Sequence, residues 1–341
     1  MRSDISPDHI LQIGMGFWAS RTLLSAVELG LFTELANGPK TGPQLEQALG
    51  LHPRATYDFL DALVSLGLLE RQGDGPDGLY ANTAATGAFL DRGSPDYIGG
   101  ILEMAAARLF RFWADLTTAL KTGRPQNEIK LSGRSMFASL YADPARLEQF
   151  MDAMSGVSMA NFETFAQKFD FSPYHMLVDI GGATAQLSCF VAGHHPHMRC
   201  ASYDLPVVQP IAERRISEAG LGDRVKAGSI DFFDDEFPAS DIITMGMILH
   251  DWNLDAKKML IAKAYRALPD GGAFVAIENI IDDERRRNVF GLLMSLNMLI
   301  EFGEAFDFTG ADFRQWCLEA GFSRCEIMPL VGPASAAIAY K

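Results

Sequence analysis

Two short runs decide how this chain reads: Leu177-Val178-Asp179-Ile180-Gly181-Gly182 and, further along, Ile248-Leu249-His250-Asp251-Trp252. The first is an apolar strand that ends in a glycine turn. The second is an apolar strand that ends in a histidine. Short apolar runs alternating with helical stretches predict a doubly wound parallel sheet. In such a sheet, ligands bind outside the carboxyl ends of the strands. A nucleotide-like cofactor on the glycine turn and an imidazole base would then face one crevice, which predicts group transfer with proton removal.

The same alternation runs outward from these two stretches. Strands are expected over 177–180, 199–203, 225–227, 241–245 and 273–277. A late pair near 324–329 and 334–339 is short enough to form an antiparallel edge hairpin. The preceding half differs. Residues 8–36 read as helical, with Ile10, Ile13, Phe17, Leu23, Leu24, Val27 and Leu31 at three- and four-residue steps. So apolar a helix at a chain terminus calls for a partner, and a second subunit is the expected one. Thr41 caps a helix over 41–49 with Pro43 in its first turn, and a second helix spans 53–66 before Gly67. Strands over 68–71 and 79–83 flank the turn cluster 73–78. Helix, helix, hairpin is the winged-helix pattern.

The expected organisation is a winged-helix-like dimerisation domain over 1–96, a mainly helical region over 97–170 with a loop near 122–132, and the sheet domain over 171–341. The helical region is rich in Met and aromatic residues, among them Met104, Phe112, Met136, Phe137, Met154 and Met159. Such side chains pack cores, and they also adapt to flat organic ligands. Met104, Phe112, Met154, Met159, Met247, Met294, Asn297 and Met298 are the expected acceptor-pocket residues.

The chain has 341 residues, and nearly half are apolar. The formal net charge of −14 argues against a duplex DNA partner, which needs clustered Lys and Arg. Arg285-Arg286-Arg287 follows Asp282-Asp283-Glu284 and reads as a solvated mixed-charge loop. Cys189, Cys200, Cys317 and Cys325 form no CxxC pair, so free thiols in a reducing compartment are expected. Met1-Arg2-Ser3-Asp4 lacks signal-peptide character, and no apolar run is long enough to span a bilayer. A cytoplasmic location with no membrane partner follows as the expectation.

Chemistry gathers at the strand ends. The Asp179-Ile180-Gly181-Gly182 turn lets backbone approach a ligand, and the following helix N-terminus offers free N–H groups. Asp204, with Leu205 beside it, ends the second strand about twenty residues after the glycine turn, where a carboxylate accepts from ribose hydroxyls. Asp231 and Phe232 end the third strand and suit an adenine, with Trp252 as a further cover. His250 ends the fourth strand, with an ordinary pKa suited to proton removal near neutrality. Glu278 ends the next strand, and Asp307 lies later; either can orient the ring and stabilise an imidazolium. The His194-His195-Pro196-His197 tract sits at the opposite edge without an acidic or Cys companion at ligand spacing, so no metal is expected.

With these residues in place, the chain resembles the class I, S-adenosylmethionine-dependent O-methyltransferases of the caffeate, acetylserotonin and bacterial polyketide-tailoring type. The resemblance runs over nearly the whole chain, through the winged-helix region, Val178-Asp179-Ile180-Gly181-Gly182, Tyr203-Asp204-Leu205-Pro206, Asp231-Phe232-Phe233, Leu249-His250-Asp251-Trp252, Leu268-Pro269-Asp270-Gly271-Gly272 and Ala320-Gly321-Phe322. It implies an N-terminal dimerisation domain, a Rossmann-like domain that binds S-adenosyl-L-methionine, and His250 as general base flanked by Glu278 and Asp307. The glycine loop and Asp204 would hold the cofactor, with Asp231 and Phe232 on the adenine.

Three positions depart from the family. Gly181-Gly182-Ala183-Thr184-Ala185 stands where the family usually shows Gly-Gly-Gly-Thr-Gly, so positive φ at Ala183 would cost about 1 kcal/mol. Gly246 matches a lysine that plant members carry near the cofactor carboxylate. Asp307, between Phe306 and Phe308, replaces a plant glutamate.

Methyl transfer to a phenolic or enolic hydroxyl of a small molecule is the reading these residues favour. The acceptor could instead be a thioether or another small aliphatic sulfur or nitrogen compound; a thioether has no proton to lose and would reduce His250 to a binding residue. A cofactor-retaining hydroxylase, decarboxylase or pericyclase, and a winged-helix DNA regulator, are the remaining alternatives.

Overall fold

The structure is a computed structural model that describes residues 5–133 and 144–341. Met136 and Phe137 lie outside the described residues. The chain divides into two compact units, Met1–Arg111 and Phe112–Lys341. The division falls within the helical stretch anticipated over 97–170.

The first unit opens with helices Asp8–Gly14, Gly16–Glu28 and Leu31–Ala36, where the sequence reads as one helical run. The breaks have local causes: Met15 leaves helical geometry between the first two, and Gly30 turns the chain at φ +72° before the third. Helix Gly42–Leu49 begins with the Thr41 cap, closed reciprocally by Gln44, and helix Pro53–Ser65 follows. Strands β1 (Lys40–Thr41), β2 (Leu69–Gln72) and β3 (Leu79–Asn82) form an antiparallel sheet in the order β1-β3-β2, so the anticipated hairpin carries a third strand. Leu31, Phe32, Leu45, Leu60, Leu63 and Tyr80 make its core. The Tyr80 hydroxyl meets Asp61 Oδ1 at 2.7 Å. Helix Asp8–Gly14 buries no residue. Ile10 is 73% exposed, Ile13 69% and Trp18 62%.

The second unit is built on seven strands: β4 (Met176–Ile180), β5 (Arg199–Asp204), β6 (Val225–Ser229), β7 (Ile242–Gly246), β8 (Ala273–Glu278), β9 (Arg324–Pro329) and β10 (Ser335–Tyr340). Their order is β6-β5-β4-β7-β8-β10-β9. The first five are parallel to one another, and β10 runs antiparallel to both β8 and β9. Alternate residues feed two cores. Val178, Ile180, Ile243 and Phe274 pack with Phe313 and Trp316 on one face. Leu177, Ile242, Val275 and Ile277 pack with Phe165, Phe171 and Val191 on the other. Every residue of β8 is buried.

The segment before the sheet differs from the sequence reading at one place. Helix Glu128–Ser132 occupies part of the loop anticipated near 122–132. Asn127 caps it, accepting from the Ile129 N–H at 3.1 Å, while its Nδ2 donates to the Glu301 carbonyl and carboxylate. A tertiary partner makes this short helix, which explains why local propensity did not show it. The histidine tract is structural: ring nitrogens of His195 and His197 lie 2.7 Å and 3.1 Å from the backbone carbonyls of Ala166 and Phe171. The four cysteines are free. No helix among the described residues is long and apolar enough to cross a membrane.

Because β4 pairs with β5 on one side and β7 on the other, the winding direction reverses between β4 and β7. Ligands bind at this switch point in open α/β sheets. Phe274 is fully buried beside Phe313 and Phe322. Phe274→Ala is expected to cost about 3–5 kcal/mol, read as a lowered denaturation midpoint.

Candidate active site

The turn after β4 is tight. The N–H groups of Gly181 and Gly182 both donate to the Tyr203 carbonyl, at 2.8 Å and 3.1 Å. Gly181 has φ +73°, and a Cβ there would meet Ile248 Cδ1 at 2.3 Å. A Cβ on Gly182 would meet Ser202 Oγ at 2.1 Å and Asp179 Oδ2 at 2.7 Å. Neither position tolerates a side chain without movement. Ala183 and Ala185 also take positive φ, at 46° and 61°. Thr184 is pinned by Ser155 at 2.8 Å, hydroxyl to hydroxyl. The buried Asp179 accepts from the Thr244 hydroxyl at 2.6 Å, and burial pushes its carboxyl up to about 7 against that pull.

Asp204 closes β5 and stays beside this turn. Its Oδ2 accepts from the Ala183 N–H at 3.0 Å and its Oδ1 from the Leu205 N–H at 2.7 Å. Each carboxylate oxygen retains acceptor capacity beyond those bonds. Burial raises the Asp204 pKa, while the two backbone N–H groups oppose the rise.

Asp231 lies just past β6. Its Oδ1 accepts from the Phe233 N–H at 3.0 Å, shaping the turn. Phe232 and Phe233 meet Trp252 edge-on, at ring-centroid distances of 5.7 Å and 4.6 Å. The Trp252 indole nitrogen is buried without a hydrogen-bond partner among the described residues. The buried Lys263 ammonium donates to the carbonyls of Phe232 (2.9 Å), Phe233 (2.9 Å) and Asp235 (2.7 Å), using all three of its protons on one loop.

His250 is set slightly apart from the sequence reading. β7 stops at Gly246, Met247 turns the chain at φ +56°, and His250 sits in the short helical turn Leu249–Asp251. Glu278 Oε1 gathers that turn, accepting from the N–H groups of Ile248 (3.1 Å), Leu249 (2.9 Å) and His250 (3.4 Å). Three carboxylates surround the ring. Asp307 Oδ1 lies 3.5 Å and Glu278 Oε2 3.9 Å from Nδ1, and Asp251 Oδ1 lies 3.3 Å from Nε2. The Nδ1 distances are ion-pair distances, longer than a formed hydrogen bond.

Burial pulls the imidazole pKa down, but Glu278, Asp251 and Asp307 outweigh it and push it up to about 10. Burial likewise raises Glu278 to about 7 and Asp251 to about 6, against the opposing pull of His250. The imidazole is therefore more basic than that of an ordinary histidine and more often protonated at neutral pH. Donor atoms of His250, Glu278 and Asp307 lie within 4.8 Å of one another, a spacing that also suits a cation. The buried Lys257 ammonium, which interacts with the same acids, disfavours a second positive charge there.

The residues expected to line the acceptor pocket scatter more widely. Met104 ends helix Gly99–Met104 in the first unit. In the second unit, Met154 and Met159 lie on helix Pro144–Lys168, while Met294, Asn297 and Met298 share one face of helix Val289–Phe302. Asn297 Oδ1 accepts from the Trp113 indole at 2.9 Å. Met298 is buried, and Phe112, Met154, Met159, Met247 and Met294 are half-buried.

The sequence reading missed Asp251, Lys257 and Lys263. For Lys257 a signal was present: Leu260, Ile261 and Ala264 follow it at helical spacing and are buried, so Lys257 stands on the apolar face.

Residues 113–323 match the O-methyltransferase domain, and residues 11–92 match the O-methyltransferase dimerisation domain. The tetracenomycin polyketide synthesis 8-O-methyl transferase TcmO of Streptomyces glaucescens is 39% identical, over 98% of this chain and 97% of its own length. The N,N-dimethyltransferase OxyT of Streptomyces rimosus is 37% identical, over 92% and 90%. A solved structure of human N-acetylserotonin methyltransferase in complex with SAM superposes with a TM-score of 0.90 at 27% identity, covering 100% of this chain and 99% of that one. The chain belongs to the S-adenosylmethionine-dependent O-methyltransferase family. The residues present fit that cofactor: bare backbone at Gly181 and Gly182, a carboxylate at the end of β5, and an indole N–H with its donor unused.

Ala183→Gly is expected to relieve left-handed strain and stabilise the protein by about 1 kcal/mol. A thermal midpoint that stays level or falls would show that the alanine methyl contacts outweigh the strain.

Proposed function

We propose that the protein methylates a phenolic or enolic hydroxyl of a small molecule, with His250 as general base. The observation that carries this reading is a buried imidazole caged by Asp251, Glu278 and Asp307 at the sheet edge that also bears the glycine turn. The polyketide 8-O-methyl transferase named among its relatives supports an aromatic hydroxyl acceptor.

Asp179, Gly181 and Gly182 would hold the amino-acid end of S-adenosylmethionine, Asp204 and Leu205 its ribose, and Asp231, Phe232 and Trp252 its adenine. The bound cofactor supplies a methyl group on a positively charged sulfur. Phe112, Met154, Met159, Met247, Met294, Asn297 and Met298 would wall the acceptor. His250 takes the hydroxyl proton as the oxygen attacks, and Glu278 and Asp307 steady the imidazolium that forms. A phenol titrates ordinarily near pH 10, so transfer to an imidazole pushed up to about 10 is nearly balanced.

His250→Ala is expected to lower kcat by about 10²–10⁴-fold while leaving cofactor affinity intact. Turnover near wild type in a variant that still binds cofactor by calorimetry would remove His250 from this role. The direction of the His250 shift fixes the pH dependence. The carboxylates favour the charged ring, so the base is freed as pH rises, and kcat/KM should still be climbing above neutrality. A profile already level by pH 7 would contradict it. An amine acceptor is the second reading, supported by the identity with OxyT. Fragmentation of the methylated product separates the two.

The dimerisation domain supports a homodimer. We place its contact on the exposed residues Ile10, Ile13, Phe17 and Trp18. Ile13→Glu with Trp18→Glu should halve the mass measured by light scattering. A dimer that persists would move the interface elsewhere.

A further inference from the structure

Lys257 stands near the start of helix Leu254–Ala267 with no exposed surface. Its Nζ donates to the backbone carbonyl of Trp252. It lies 3.7 Å from the centroid of the Phe306 ring and 6.0 Å from that of Phe308. Phe306 and Phe308 bracket Asp307, and Trp252 follows Asp251. The ammonium is thus held between two of the segments that carry the acids around His250.

Its charged surroundings are mixed. The turn at 249–251 contributes His250 and Asp251, β8 contributes Glu278, and the segment before helix Gly310–Ala320 contributes Asp307. From helix Val289–Phe302, Glu301 acts on Asp251. Acids outnumber cations in this buried group. A fully buried lysine is rare unless paired, and an apolar residue would suit the helix face better. What the lysine adds is charge. With that charge removed, the net negative charge of the buried group grows, and the imidazole, already pushed up by Glu278, Asp251 and Asp307, holds its proton more tightly; a proton on the ring disables the base.

We infer that Lys257 is a positioning residue for the proton transfer, its buried ammonium offsetting the negative charge of the acids around His250 and so leaving the imidazole freer to accept a proton. The catalytic consequence rests on His250 being the base. Burial draws the Lys257 ammonium down to about 8 while the three acids hold it up, so it carries its charge at neutral pH.

The test compares the full-length wild type with Lys257→Met, which keeps the stem and drops the charge, and Lys257→Arg, which keeps the charge. In Lys257→Met the rising limb of kcat/KM should move up by about one pH unit, an about tenfold loss of activity at neutral pH. Affinity for S-adenosylmethionine should not change, and Lys257→Arg should keep its limb near the wild-type position. The His250 ring, assigned by NMR through the signal lost in His250→Ala, should titrate higher in Lys257→Met by the same amount. A folded Lys257→Met with neither limb nor ring titration displaced overturns the inference. So does a Lys257→Arg displaced as far as Lys257→Met, because packing rather than charge would then be at work. If the ring titration moves and the activity limb does not, the electrostatic role of Lys257 stands and the reading of His250 as base fails. Should Lys257→Met not fold, the wild-type Lys257 side chain decides by NMR: an ammonium between pH 6 and 8 upholds the inference, and a neutral amine overturns it.

Discussion

Oxygen Oε1 of Glu278 accepts three consecutive backbone N–H groups, those of Ile248, Leu249 and His250. Amides just beyond a strand end have no ladder partner, and buried ones need an acceptor. The parallel pairing of β7 with β8, in register at Gly246 and Ile277, brings Glu278 level with that turn. Met247 can then hold positive φ, because the turn it starts is fastened from the neighbouring strand. The other Glu278 oxygen lies 3.9 Å from the ring that this turn presents. One side chain thus fixes the backbone of the turn and contributes to the electrostatics of the ring.

Burying acids around a histidine is costly unless charge is returned to them. Here the imidazole and the Lys257 ammonium return it, from two different elements. The acids still leave a ring that binds its proton more tightly than a free histidine. Such a ring suits the role proposed for it, taking a proton from a weakly acidic hydroxyl, at the expense of being occupied by a proton near neutrality. The partner of such a base is set by the balance of charges around it rather than by histidine as a residue type.

The turn after β4 solves a different problem. In the proposed cofactor site backbone must come close to a ligand, and Ser202, Asp179 and Ile248 already fill the space that side chains on Gly181 and Gly182 would need. Ile248 leads into His250, so the glycine turn and the turn that carries His250 are packed against each other. Two alanines accept left-handed geometry to keep this path. Lys263 fixes the loop after β6 through three carbonyls.

Much of this was written in local sequence. Apolar runs bounded by turns marked the strands, and strand ends carry chemistry in a parallel sheet, so Asp179, Gly181, Asp204, His250 and Glu278 stood out from the chain alone. Local pattern could not break the 8–36 run at Met15 and Gly30, nor find helix Glu128–Ser132, whose cap depends on Glu301 far along the sequence. It also passed over Lys257 and Lys263. Only the tertiary structure decided that both are buried, that Asp251 joins the group around His250, and that the ring holds its proton well above the ordinary histidine range. Periodicity and turn chemistry act between near neighbours in sequence. The electrostatics of this site arises among β8, the 249–251 turn, helix Leu254–Ala267 and the segment around Asp307, which only folding brings within ion-pair range.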